Sequence, residues 1–377
     1  MSSRPRVFFV LGSLEANDMG EEIVAILGRL SRAAFEPRVI ALGGRDDLRE
    51  RIAQMKVRVY PLGLSGPIGA VLAVWKVRNM LRTMDAEVVH GFGSWGGAVA
   101  ELAAPKGVAV VRTVSRPPAS GRDLRGWLLG FLERRAARHA GTHFVVPREE
   151  VRSVVQEHYG GGEVTVLPTS VDVAGIRERV RTLGREASRV QLGVAPDDMV
   201  FVCLTPFHSE SAMDEILRGI AVARREREGL RIFLVGSGRY EGSSRWKAEE
   251  LRLDDAVVFL GRGPEVEAVW AAADVVVDAS PWSDWSRGAL VAHAAGLPVV
   301  KRVEGVVDDG LAEGVMPPRI SGRADWFGSD LVRLAERPEL RERVRKAGEG
   351  VVDGNDVAWV AQELKALYES LGHGDGS

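Results

Sequence analysis

Few groups in this 377-residue chain have the type and spacing to do chemistry, and glycine-rich turns come first among them. Gly91-Phe-Gly-Ser-Trp-Gly96 matches G-x-G-x-x-G directly after a β-branched run, where N–H groups at a helix start could hold a pyrophosphate. It follows the fourth such run, and the next run ends in Arg112-Thr113 with no acid for a ribose, so a tight strand-to-helix turn is the better reading. Gly236-Ser-Gly238 is a second such turn, suited either to cradling a phosphate or simply to turning the chain. Trp282 and Trp285 flank a loop where they could stack on a sugar or base, or anchor the loop to the sheet. No H-E-x-x-H, C-x-x-C, G-x-S-x-G or P-loop pattern occurs, and the seven His are scattered. Zinc and serine-hydrolase chemistry are thus unsupported, and no metal site is expected.

Composition narrows the class. With 45% hydrophobic and 27% charged residues the chain is neither disordered nor stapled by disulfides. Cys203, the single cysteine, lies inside Val200–Leu204 and reads as a buried strand residue in a reducing, cytoplasmic compartment. Up to Arg185 there are 27 basic and 19 acidic residues, and beyond it 23 and 33. A basic half joined to an acidic half implies two domains with different partners. No aromatic-interleaved basic patch accompanies the charge, so nucleic acid is not expected. No membrane-spanning run or cleavable leader is visible. The stretch Asp123–Ala140 carries Trp127, Leu128, Leu129, Phe131 and Leu132, then Arg134, Arg135 and Arg138. Such a basic amphipathic helix covers a sheet or lies peripherally on the inner face of a membrane.

The elements that must position these groups alternate along the chain. Short apolar runs recur at Val7–Leu11, Val39–Leu42, Val57–Leu62, Val88–His90, Val108–Val114, His143–Val146 and Val164–Leu167. They resume at Val200–Leu204, Ile232–Val235, Val257–Leu260, Val275–Asp278 and Val299–Val300. Helical stretches separate them, such as Glu21–Arg32 with Ile23, Ile26, Leu27 and Leu30 on one face. Runs apolar on both faces are parallel strands between helix layers, and twelve are too many for one open sheet. The pattern predicts an α/β protein of two doubly wound domains, residues 1–180 and 181–355, with a last helix at 356–371 packing back across the junction.

In that order the segments resemble the retaining glycosyltransferases of family 4. Glu87-Val-Val-His-Gly is similar to the family's strand ending in His, and Val166-Leu-Pro-Thr-Ser-Val-Asp172 to its domain junction. Ile232-Phe-Leu-Val-Gly-Ser-Gly, Val257-Val-Phe-Leu-Gly, Ala273–Ser280 and Ala294–Val300 resemble signatures of its second domain. The resemblance implies the GT-B fold, two facing Rossmann-like domains with a donor cleft. It also implies an acceptor-side first domain, a donor-side second domain and transfer from a nucleotide-sugar without a metal. No further cofactor is implied. Acceptor-side candidates are then Gly12, Ser13, Gly20, His90, Gly91, Gly93 and Arg116.

The family's charged donor-site residues are replaced here. Its Arg and Lys align with Pro206 and Ser211, its two Glu with Ser283 and Val291, and a His beside the reacting centre with Ser115. One lost oxyanion-stabilising group costs roughly 3–4 kcal/mol of transition-state stabilisation. A replacement set is expected among Arg287, Arg302 and Arg116, with the N–H groups of Gly288 and Ala289 and the turn Gly236–Gly238. Three readings follow: an active hexosyl transferase with a rebuilt donor site, a degenerate transferase serving an active protein partner as a binding subunit, and, remotely, a nucleotide-sugar epimerase.

Overall fold

The computed structural model describes residues 4–64, 66–115, 141–159, 162–261, 265–281, 285–305, 310–311 and 317–372. The chain divides into two units, Met1–Ser170 with Val357–Ser377 and Val171–Asp356.

In the first unit the chain runs β1 (Arg6–Leu11), α1 (Asp18–Arg29), β2 (Glu36–Ala41), α2 (Arg49–Gln54), β3 (Arg58–Pro61) and α3 (Gly66–Thr83). It continues with β4 (Val88–Phe92), α4 (Gly93–Ala103), β5 (Ala109–Thr113), β6 (Thr142–Val146), α5 (Glu150–Tyr159) and β7 (Glu163–Val166). All seven strands are parallel, in the order β3-β2-β1-β4-β5-β6-β7. Side chains alternate across the sheet. Val7, Phe9 and Leu11 enter one core with α1, whereas Phe8 and Val10 enter another with Ala73, Val77 and Leu81 of α3. Each fully buried Phe contributes roughly 1.5–3 kcal/mol, which outweighs the weak propensity of so short a strand. Asn17 caps α1, its Oδ1 accepting the Gly20 N–H at 3.0 Å.

The second unit begins with α6 (Val173–Leu183) and α7 (Arg185–Gln191), which are followed by β8 (Met199–Leu204), α8 (Glu210–Glu226), β9 (Leu230–Val235) and α9 (Glu241–Glu250). Then come β10 (Val257–Leu260), α10 (Glu265–Ala272), β11 (Val275–Asp278), α11 (Arg287–Ala294), β12 (Val299–Val303), β13 (Arg319–Ser321), α12 (Ala324–Glu336) and α13 (Pro338–Ala347). The sheet is parallel, ordered β10-β9-β8-β11-β12-β13. α14 (Val357–Gly372) belongs to the first unit and packs on α1.

Two details differ from the sequence reading. Residues 173–180, expected in the first domain, lie in the second unit, because Val173 and Ile176 bury themselves against Leu290 and Ala294 of α11. Within that unit Gly184, at φ +69°, separates α6 from α7. β13 is a thirteenth strand of only three residues that the apolar pattern does not reveal.

Both sheets share one topology. Neighbours β1 and β4, and likewise β8 and β11, send their connections to opposite sides. The crevice beyond their C-terminal ends is where doubly wound sheets bind ligands. In the second unit that point lies beyond Leu204 and Asp278, and in the first beyond Leu11 and Phe92.

Candidate functional site

At the switch point of the second unit a fully buried carboxylate organises the loop. Asp278 ends β11 with its side chain inaccessible to solvent. Its Oδ1 accepts the Ser280 N–H at 3.1 Å, and its Oδ2 accepts the Ser286 N–H at 2.9 Å. Lys301, on the adjoining strand β12, donates from Nζ to Asp278 Oδ2 at 3.0 Å and to Ser280 Oγ at 2.8 Å. Register explains the pairing, since Asp278 lies opposite Lys301 in the β11–β12 ladder. Burial pulls the Lys301 ammonium below the usual lysine range, and the Asp278 charge opposes that pull. The network holds both ends of the 279–286 loop and so fixes where α11 begins.

α11 starts with its own cap. Ser286 Oγ accepts the Ala289 N–H at 3.1 Å, so that donor is engaged within the protein. The N–H groups of Arg287 and Gly288 stand in the first turn beside the half-buried Arg287 side chain. A Cβ at Gly288 would lie 3.0 Å from Leu204, so glycine lets the helix start close against the end of β8. Clustered first-turn N–H groups and the helix dipole attract an anion.

The remaining donor-side candidates have clear surroundings. At Gly236, φ is +155° and a Cβ would sit 1.8 Å from the Thr205 carbonyl oxygen; at Gly238 it would sit 2.3 Å from that of Phe207. Both glycines let the turn pass over the chain leaving β8, and the Gly236 N–H donates to the Leu260 carbonyl at 3.2 Å. Arg302 points to the opposite sheet face from Lys301 and donates from Nη2 to the Gly322 carbonyl at 2.6 Å. Burial lowers its pKa, while Glu215 and Glu304 pull the other way. Pro206 is half-buried, Ser211 is exposed on α8, and Val291 packs into the apolar clusters around α11. Ser283 and Trp282 lie outside the described residues. Trp285 packs edge-on against His293, with ring centroids 4.8 Å apart, which is the anchoring role; burial lowers the His293 pKa to about 4.

The first unit's candidates divide differently. His90, read as an acceptor-side residue, is fully enclosed: Nδ1 meets the Tyr368 hydroxyl at 2.6 Å and Nε2 the Thr113 hydroxyl at 2.7 Å. Its ring stacks on Phe92 at 4.1 Å between centroids, and burial depresses its pKa to about 3. Both ring nitrogens are thus engaged within the protein, and His90 anchors α14 instead of facing an acceptor. Gly20 is likewise structural, for a Cβ there would lie 2.3 Å from the Glu15 carbonyl oxygen. Gly91 allows α4 to press on β4, its Cβ position lying 2.6 Å from Gly97 Cα, and a Cβ at Gly96 would meet the Val10 carbonyl oxygen at 2.4 Å. The G-x-G-x-x-G pattern is accordingly a close helix–strand packing device, with Gly93 at φ +66° supplying the turn. Gly12 and Ser13 remain half-buried at the switch point, Gly12 beside Trp95. Ser115 is exposed after β5; Arg116 and the stretch 123–140 lie outside the described residues.

Sequence reasoning missed three elements. The Asp278–Lys301–Ser286 network was signalled by charged residues ending the apolar runs Val275–Val277 and Val299–Val300. The buried Arg112–Glu101 pair, 2.6 Å between Nη1 and Oε2, was signalled by an acid within Ala98-Val-Ala-Glu-Leu. Tyr368, the partner of His90, carried no local signal. Cys203 is buried as expected, and burial pushes its thiol up to about 12. Among the described residues no cluster of His, Cys, Asp or Glu is placed to hold a metal, and no helix is long and apolar enough to cross a membrane.

Comparison with known proteins extends this geometry. The family described as Glycosyl transferase 4-like domain matches residues 19–170, and Glycosyl transferases group 1 matches residues 198–337. The chain is 22% identical over 312 residues to an alpha-monoglucosyldiacylglycerol synthase of Streptococcus pneumoniae, with 82% of this chain and 66% of that one covered. It therefore spans just under two thirds of that relative's length. It is 28% identical to a GDP-mannose-dependent alpha-(1-6)-phosphatidylinositol monomannoside mannosyltransferase of Mycobacterium tuberculosis, covering 95% and 94% of the two chains. The structure of the Anabaena protein HepE in complex with UDP and glucose superposes with a TM-score of 0.74 at 15% identity, covering 97% of this chain and all of that one. At such identity the likeness concerns the fold, which is GT-B.

Proposed function

The chain belongs to the family-4 glycosyltransferases, and from that premise we propose that it transfers a hexosyl group, with retention, from a nucleotide-sugar to an acceptor. In this reading the donor diphosphate lies at the start of α11, held by the Arg287 guanidinium and the N–H groups of Arg287 and Gly288. Breaking the sugar–phosphate bond leaves growing negative charge on the diphosphate, and fixed donors aimed at that charge lower the barrier. Pro206 and Ser211 carry no positive charge to meet it. The supporting observation is the Asp278–Lys301 network, which holds Ser286 and hence the first turn of α11 in place. Preorganised donors need no reordering as charge develops.

Thermal shift of the full chain against uridine, guanosine and adenosine diphosphates tests this. A ligand at a hundred times its Kd adds about 2.7 kcal/mol to stability. Arg287→Ala should abolish the shift and leave the unliganded transition in place. No shift with any of the three nucleotides overturns the reading.

A second reading is favoured by Val291, which the family resemblance aligns with a carboxylate and which packs among apolar side chains. Here the protein binds the nucleotide but serves an active partner. Nucleotide-dependent stabilisation, with no release of diphosphate from nucleotide-sugars, would select this reading over the first.

A further inference from the structure

The turn after β9 carries a cation to the chain leaving β8. Gly236 and Gly238 leave no room for a Cβ, which would run into the Thr205 and Phe207 carbonyl oxygens, so the turn lies directly on that chain. The Tyr240 N–H donates to the Phe207 carbonyl at 3.1 Å and holds the turn there. Arg239 is thereby brought beside His208, whose Nδ1 lies 2.8 Å from the Gly238 Cβ position, and both side chains are exposed. The Arg239 guanidinium stands 4.7 Å from the centroid of the Tyr240 ring, a contact that steadies the side chain and leaves its charge unneutralised. Glu241 pairs instead with Arg245 at 2.9 Å, and among the described residues no carboxylate pairs with Arg239. Helix stability does not account for a cation here, since Arg239 stands at the N-terminal end of α9, where the dipole favours acids.

β9 and β11 flank β8 in the sheet, and the segments that follow them meet at the end of β8. Gly288, in the first turn of α11, packs on Leu204, and Gly236 packs on Thr205, the next residue. We propose, on the reading of the α11 first turn as the diphosphate site, that Arg239 with His208 beside it grips the donor diphosphate from the β9 side, opposite Arg287. Pro206 and Ser211 bring no positive charge from the chain leaving β8, and Arg239 supplies one from the neighbouring strand. A guanidinium suits this task, because its planar fork donates two parallel N–H bonds to phosphate oxygens, which an ammonium does not.

Calorimetric titration of the full chain with uridine, guanosine and adenosine diphosphates, and with the matching monophosphates, tests the proposal. Arg239→Gln, at an exposed position, should leave the unliganded thermal transition in place and weaken diphosphate binding about ten- to a hundredfold. The loss should be smaller for the monophosphate, which presents less charge. Arg239→Lys keeps the charge without the fork and should recover part of the affinity. Diphosphate binding that Arg287→Ala abolishes and Arg239→Gln leaves at the parent's strength overturns this proposal alone and spares the α11 site. A parent that binds none of the three diphosphates overturns both. Equal losses for diphosphate and monophosphate would also overturn it, by placing Arg239 against the nucleoside.

Discussion

Lys301→Met isolates the role of the buried pair at the end of β11. Lysine and methionine have similar length, so the change removes a charge and little volume. It leaves the Asp278 carboxylate fully buried, still accepting the Ser280 and Ser286 N–H groups but without a cation. Breaking a buried pair from one side costs about 3–5 kcal/mol. For a unit of this size, each kcal/mol lowers the transition by roughly 2–4 °C, so a fall of about 6–20 °C is expected. Adding Asp278→Asn removes the stranded charge. The amide oxygen can serve one of the two N–H groups and leaves the other short of a partner, at about 1–3 kcal/mol. The double variant should therefore be more stable than Lys301→Met, although it carries one more substitution. Calorimetry of the full chain and both variants measures this order. A double variant as unstable as the single one, or a single variant within about 1 kcal/mol of the parent, would refute the view that charge pairing holds the loop.

Other consequences can be checked on the same protein. His90 has a folded pKa near 3 against an ordinary value of about 6.5, so on acidification the unfolded chain takes up the proton first. Its contribution is complete above pH 6.5 and is lost between about 6.5 and 3, at up to ~1.4 kcal/mol per pH unit. Urea midpoints between pH 7 and 4 should fall less steeply in His90→Gln than in the parent. Tyr368→Phe strands the His90 Nδ1 in the core, and a loss of about 1–3 kcal/mol with faster amide exchange along α14 is expected. Gly96→Ala forces a Cβ to within 2.4 Å of the Val10 carbonyl and should cost about 1–3 kcal/mol. Gly242→Ala, in α9 with nothing near its Cβ position, should instead stabilise by about 0.5–1 kcal/mol in denaturation.

Much of the fold was legible because strands buried on both faces need unbroken apolar runs, and these stand out. Val7–Leu11 and Val200–Leu204 end where the strands end. β13 escaped because three residues carry no periodicity, and its place in the sheet comes from pairing with β12. Residues 173–180 read as part of the first domain because the charge around them hides the two residues, Val173 and Ile176, that decide where they pack. For the site, position was legible and role was not. The Gly91–Gly96 stretch does span the end of β4 and the start of α4, whereas His90, read as the strand's last residue, lies inside β4. What their side chains meet comes from α14 and α4, one of them some 280 residues away, and no local signal carries that.

The Asp278–Lys301 pair is hard to explain as a device for stability, since apolar residues of similar volume often serve as well as a buried ion pair. What apolar residues cannot do is accept hydrogen bonds. The loop after β11 turns so that the N–H groups of Ser280 and Ser286 converge on one point, and each needs an acceptor there. A carboxylate meets both. A buried carboxylate then demands a cation, and the residue across the β11–β12 ladder is the one within reach, which is Lys301. The requirement therefore runs from loop shape to acceptor to counter-ion, each step set by the one before. Holding Ser286 in turn keeps its hydroxyl on the Ala289 N–H, so the axis of α11 and the donors of its first turn stay where an anion would meet them. On the function proposed above, such rigidity matters because the fewer cations meet a departing diphosphate, the more each donor depends on being in place beforehand.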